Sequence, residues 1–123
     1  MRVLVGTDII EIDRVRKLVD SHEKNVLKSI FTLQEIEYCE ARKVQKYQSY
    51  AARFAAKEAI YKALSEFVPE KYSFTDFEVV NNEKGKPEVR LGFEIKGLEQ
   101  IDISLSHCKE YAVAYVSAII KEN

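Results

Sequence analysis

Glycine and proline are scarce in this chain, four and two residues in 123. That scarcity excludes a collagen-like or low-complexity polypeptide. Cysteine is as sparse: Cys39 and Cys108 lie far apart and in no CxxC spacing. Neither a disulfide framework nor a zinc site is expected, which leaves two reduced thiols in or near a core. No apolar run approaches the roughly 20 residues that span a bilayer, and the opening Met1–Asp8 turns polar too early for a signal peptide. An excess of charge is missing too. With 19 basic and 20 acidic residues the net charge is −1, which argues against a general nucleic-acid binder. What the chain does have is apolar mass, 46% of its residues, too much for disorder. Its length suits one domain over residues 1–123, and a cytoplasmic location is expected.

Val3 to Ile12 is rich in β-branched residues with apolar side chains on both faces, and predicts a buried strand. Asp13 is placed to cap a short helix starting near Arg14. Thr32-Leu33-Gln34-Glu35 is a capping-box pattern after Phe31, and announces a second helix. The longest helical stretch runs from Ser49 to Val68, dense in alanine and stopped by Pro69. The second half reads as strands: Tyr72–Val80, a turn through Gly85 and Pro87, a return at Val89–Ile95, an alternating Ile101-Ile103-Leu105 segment, and Tyr111–Ile120. Helices followed by antiparallel strands predict an α+β domain, an antiparallel sheet packed against helices with one long Ala-rich helix.

Four features carry chemistry. Asp8 places a carboxylate inside an apolar strand, on the face of Leu4, Ile10 and Ile12. Burial there is costly unless a cation or several donors meet it, so it reads as an ordinary ion pair, as a strand-end turn residue, or as a metal ligand. Glu58 and Lys62 share one helix face at i, i+4, the spacing of a surface salt bridge. The adjoining row Ala51-Ala55-Ala59 leaves room for another backbone or a ligand, and Ala56, Ile60, Leu64 and Phe67 form the core stripe. Between residues 42 and 62, Arg42, Lys43, Lys46, Arg53, Lys57 and Lys62 face Glu58 as the single acid. Such a run is either a solvated helix surface or a site for a ligand with several phosphates. Ser104-Leu105-Ser106-His107 ends a strand; His107 and His22 are the two histidines. There is no HExxH, Walker loop, GxGxxG or GxSxG. A metal held by two carboxylates would be a hard cation such as Mg²⁺, completed by phosphate and water.

Gly6-Thr7-Asp8-Ile9-Ile10-Glu11-Ile12-Asp13-Arg14, Arg53-Phe54-Ala55-Ala56-Lys57-Glu58-Ala59-Ile60-Tyr61-Lys62-Ala63-Leu64 and Ser104-Leu105-Ser106-His107 resemble holo-[acyl-carrier-protein] synthase, the small bacterial type of 4′-phosphopantetheinyl transferase. Gly85-Lys86-Pro87 and Phe31-Thr32 with Glu35 fit the same pattern, so the resemblance spans nearly the whole chain in order. It implies transfer of the phosphopantetheine arm of coenzyme A to a serine of an acyl carrier protein, with release of adenosine 3′,5′-bisphosphate, as a step that serves fatty acid biosynthesis. It further implies Asp8 and Glu58 as magnesium ligands, and Glu58 and Lys62 as the catalytic pair. Lys62, Arg53, His107 and the Gly85–Pro87 turn would contact coenzyme A. Arg14 with Leu18 would dock the acidic carrier, and Glu35 would serve its capping box rather than a water. Family members are trimers with active sites between subunits. Two positions depart from the family pattern: Ser65 replaces a usual glycine, which would let the long helix run on, and Cys108 follows His107 where a more polar residue is commoner. The competing reading is a non-catalytic module that binds a phosphorylated ligand or an acidic protein through the basic helix.

Overall fold

The computed structural model describes residues 1–21 and 23–122, which leaves His22 outside the described residues. Strand β1 (Arg2–Glu11) passes directly into helix α1 (Ile12–Asp20), followed by α2 (Lys24–Ile30), α3 (Leu33–Ala41), a 3₁₀ turn and the long α4 (Lys46–Leu64). The rest is β2 (Phe77–Asn81), β3 (Pro87–Leu91), β4 (Leu98–His107) and β5 (Tyr111–Ile120). All strand pairs are antiparallel. They form a three-stranded sheet in the order β1-β5-β4 and a separate β2-β3 hairpin. This is the expected α+β arrangement, with the first and last strands side by side.

Helix α4 lies across the inner face of the large sheet, and its alanines explain how closely it lies. Ala51, Ala55, Ala56 and Ala59 are all fully buried. A side chain at Gly6 would collide with the Ala59 carbonyl oxygen and the Ala63 amide. The small-residue row therefore admits the β1 backbone, not a ligand. Ile60, Leu64, Val116 and Ile120 fill the remaining space between helix and sheet, with Phe77 and Val79 joining from the hairpin.

Several boundaries differ from the sequence expectation. Glu11 occupies the N-cap of α1 without a side-chain bond. Asp13 sits in the first turn instead, paired with Lys17 at 3.5 Å, where its charge suits the helix dipole. Helix α4 starts at Lys46 and ends at Leu64, so Ser65 does not prolong it. Phe67 and Val68 close back on the Leu64 carbonyl in a tight turn before Pro69. Residues Phe74–Asp76 are a 3₁₀ turn with its own capping box, Ser73 with Asp76, so β2 begins only at Phe77. The capping box at Thr32 and Glu35 is present as expected.

One buried ion pair ties these elements together. Glu35 is 1% exposed, yet it accepts from Thr32 N (2.9 Å), Lys57 Nζ (2.8 Å) and Val79 N (2.9 Å). Lys57, equally buried, also donates to the Phe74 and Phe77 carbonyls at 3.1 and 2.9 Å. All three ammonium protons thus have acceptors, which makes burial of the charge tolerable. Burial still pushes the Lys57 pKa down, against the pull of Glu35. Lys57 consequently belongs to the fold and drops out of the basic run as a ligand contact.

Candidate active site

Two clusters of polar side chains flank α4. On its β1 side, Lys62 Nζ donates to Asp8 Oδ1 at 3.1 Å and to the Thr7 carbonyl at 3.0 Å. Alternation along β1 turns Asp8 toward α4, where its side chain is 18% exposed. Glu58 lies one helical turn before Lys62, on the same face. Its charge reaches Tyr72, whose hydroxyl is pushed up in pKa first by desolvation, then by its bond to Tyr61, with Glu58 adding to the effect. Tyr61 and Tyr72 stack at 5.2 Å beside it. Asp8 is thus ion-paired, as one of its sequence readings expects, and its partner is the lysine one helical turn after Glu58. Among the described residues no group of three or more His, Cys, Asp and Glu forms a metal cage. An oxygen-only pair of carboxylates fits a hard cation that completes its shell with water and phosphate, and does not fit a structural zinc.

On the β4 side, a cavity of about 320 Å³ opens between α4, the hairpin and the end of β4. Its walls carry Arg42, Arg53, Lys86 and His107. Arg53 is 3% exposed, lies over the Tyr38 ring at 4.1 Å, and donates to Asn81 Oδ1. Its Nε has no partner among the described residues. Pro87 lines the same cavity. Gly85 shapes it from behind, its φ of +83° allowing the hairpin turn and its carbonyl accepting from Asn81 Nδ2 at 2.9 Å. Three cations and a histidine around one opening, with no acidic residue among the lining side chains, make a receptor for a polyanion.

Arg53, Pro87 and His107 thus line one cavity, whereas Lys62 pairs with Asp8 on the β1 side of α4 and Glu58 shares its helix face. β5 lies between β1, which bears Asp8, and β4, which bears His107, so those two strands are about 10 Å apart, while Arg53, Glu58 and Lys62 all stand on α4. Sequence reasoning missed Tyr38, Gln48 and Asn81, which complete the cavity. Only Asn81 left a trace, as part of the Asn-Asn pair that opens the turn before Gly85; an aromatic ring beneath an arginine leaves none. On α1, Arg14 is exposed and Leu18 half-buried. Neighbouring Arg16 lies over Tyr47 at 4.8 Å and Lys17 pairs with Asp13, whereas Arg14 has no ion-pair partner among the described residues.

Comparison with known proteins gives these clusters a context. Residues 4–116 match the family model of the 4′-phosphopantetheinyl transferase superfamily. A holo-[acyl-carrier-protein] synthase of Ruminiclostridium cellulolyticum is 48% identical over 121 residues, covering 94% of this chain and 90% of that protein. Among solved structures, a Bacillus anthracis holo-(acyl-carrier-protein) synthase in complex with CoA (3′,5′-ADP) is 34% identical. It superposes with a TM-score of 0.77, covering 94% of each chain. The Helicobacter pylori holo-[acyl-carrier-protein] synthase in complex with coenzyme A is 29% identical with a TM-score of 0.82, covering 94% of this chain and all of that one. With its motifs in order, its fold shared end to end and a family model matched along most of its length, the chain belongs to the 4′-phosphopantetheinyl transferase superfamily, among the holo-[acyl-carrier-protein] synthases.

Proposed function

We propose that this chain, acting as a single domain over residues 1–123, transfers 4′-phosphopantetheine from coenzyme A to a serine of an apo-acyl carrier protein for fatty acid biosynthesis. The observation that carries the reading is the cation-lined cavity beside Arg53, Lys86 and His107, since coenzyme A presents a pyrophosphate and a 3′-phosphate. The serine oxygen bonds to the phosphorus bearing the pantetheine arm, the pyrophosphate P–O bond breaks, and adenosine 3′,5′-bisphosphate leaves. Arg53, His107 and the Gly85–Pro87 turn hold the coenzyme. Lys62, already oriented by Asp8 and the Thr7 carbonyl, donates to the pyrophosphate and stabilises the charge on the leaving bisphosphate. Asp8 and Glu58 would hold Mg²⁺, which when bound neutralises phosphate charge. Glu58 is also the carboxylate we assign to the proton that the serine hydroxyl gives up, because Glu35 is spent inside the fold.

The two clusters serve one reaction if the molecule is a homotrimer in which the cavity of one subunit faces the carboxylates of the next. The outer face of the large sheet supports that assembly. Val3, Val5, Ile9, Tyr111, Val113 and Tyr115 are all exposed there. The β1–β5 register sets Ile9 against Val113 and Thr7 against Tyr115, so these residues form one patch. No helix among the described residues is long and apolar enough to cross a membrane, and the proposed location is the cytoplasm, beside the carrier.

The deciding experiment incubates the protein with Mg²⁺, coenzyme A and an apo-acyl carrier protein and weighs the carrier by mass spectrometry. Gain of one phosphopantetheine group, abolished by a chelator and restored by Mg²⁺, is expected. No gain across several carriers returns the protein to a non-catalytic anion-binding module.

A further inference from the structure

Among the polar side chains that line the cavity, Asn81 bonds to two of its walls. Asn81, the last residue of β2, is half-buried and uses both ends of its amide. Its Oδ1 accepts from Arg53 Nη2, and its Nδ2 donates to the Gly85 carbonyl at 2.9 Å. The first bond fixes the α4 wall of the cavity and the second fixes the hairpin wall, so one residue sets the gap between them. Asn82 repeats the device locally, its Oδ1 accepting from Lys84 N and Lys86 N, which leaves the turn with little freedom of its own.

The chemistry of Arg53 makes the identity of residue 81 matter. A guanidinium 3% exposed ordinarily has a carboxylate partner. Among the described residues Arg53 has none: its neighbours are a neutral amide and the face of Tyr38, and its buried Nε is unpartnered. An amide oxygen orients the guanidinium without cancelling its charge. An aspartate of the same size would hold it as well and cancel it.

Resting on the coenzyme A reading above, we infer that Asn81 is a positioning residue for the phosphate-bearing half of coenzyme A: it aims Arg53 while keeping it electrically unpaired, and it ties that arginine to the turn that forms the opposite wall.

The test uses the isosteric Asn81→Asp, with Asn81→Ala as a second variant in case the first changes the melting temperature. Coenzyme A binding is measured by calorimetry at several salt concentrations, and transfer by steady-state kinetics. Asn81→Asp is expected to weaken coenzyme A binding about tenfold or more and to flatten its salt dependence, because the site loses a net positive charge. KM for coenzyme A should rise in step, with a much smaller change in kcat and none in KM for the carrier. Asn81→Ala should weaken binding but keep the wild-type salt slope. A purely structural role would not separate the two variants by salt slope. Affinity within twofold of wild type in both variants, or a fall in kcat with KM unchanged, overturns the inference. If the wild-type protein binds coenzyme A yet transfers nothing, the transferase reading fails while the binding comparison still decides the role of Asn81. If it binds no coenzyme A, both fall.

Discussion

Asp8 is held at 3.1 Å by Lys62 and sits where a β-strand would normally carry an apolar residue. Such a carboxylate contributes little to stability that a neutral side chain could not replace. We therefore expect Asp8→Ala and Glu58→Ala to fold, with melting temperatures near wild type, and to lose transfer by orders of magnitude. Near-normal turnover in both would remove the metal from this pair. The cysteines make a second contrast. Cys39 is fully buried, and burial pushes its thiol up to about 12. Exposed Cys108 is held below the ordinary thiol value by hydrogen bonds from the backbone of Glu110 and then Tyr111. Iodoacetamide at neutral pH should modify Cys108 and spare Cys39 in the folded protein, as peptide mapping would read directly. The same burial gives an alkaline signature. Above pH 9 the unfolded chain loses the Cys39 proton while the folded chain keeps it up to about pH 12. Cys39 should therefore contribute a fall in stability of as much as about 1.4 kcal/mol per pH unit across that window, a contribution that Cys39→Ala subtracts from the slope in denaturant titrations. Equal slopes in both proteins would show that Cys39 does not keep its proton in the fold.

Among the elements, α4 carries both halves of the site and is held in place by a charge it buries. Lys57→Met would leave Glu35 without its cation, at a cost of roughly 3–5 kcal/mol. Adding Glu35→Gln should recover part of that loss, because an uncharged amide tolerates the same pocket; urea unfolding of the single and double variants measures the coupling. A loss below about 1 kcal/mol for Lys57→Met would mean that the pair is not what docks α3 and the hairpin onto α4. This is where the sequence was least legible. Lys57 lies in a basic run that reads as helix surface or phosphate site, and nothing local marks it as the one member buried against Glu35, 22 residues earlier. The capping box at Thr32, β5 and the existence of α4 were legible because each rests on spacing within a few residues. The row of alanines was visible but open in meaning until Gly6 stood against Ala59. Helix α2 went unforeseen, being seven residues without a capping pattern. For α1 the expected docking role can be tested: Arg14→Ala should raise KM for the carrier and weaken its salt dependence, with coenzyme A affinity little changed. The reverse pattern would move the docking surface elsewhere.

At the scale of the molecule, the net charge of −1 hides a separation of charge and a separation of chemistry. Residues 42–62 hold six bases against one acid, and the rest of the chain is correspondingly acidic. The cations around the cavity lie on the far side of β5 from Asp8. Within one subunit, Asp8 on β1 and His107 on β4 are therefore two strand spacings apart. In the proposed homotrimer the exposed patch on the outer sheet face is the contact surface, since burying it against neighbouring copies removes Val3, Val5, Ile9 and Val113 from water. Val113→Glu puts a charge in the middle of that patch while leaving the inward face of β5, Ala112, Ala114 and Val116, untouched. Light scattering should give about three times the 14.2 kDa chain mass for the wild type and a single chain for the variant. If the active site is shared, the monomeric variant should remain folded by circular dichroism, bind coenzyme A more weakly and transfer essentially nothing. Full activity in a monomer would place the whole reaction within one chain and overturn the shared site.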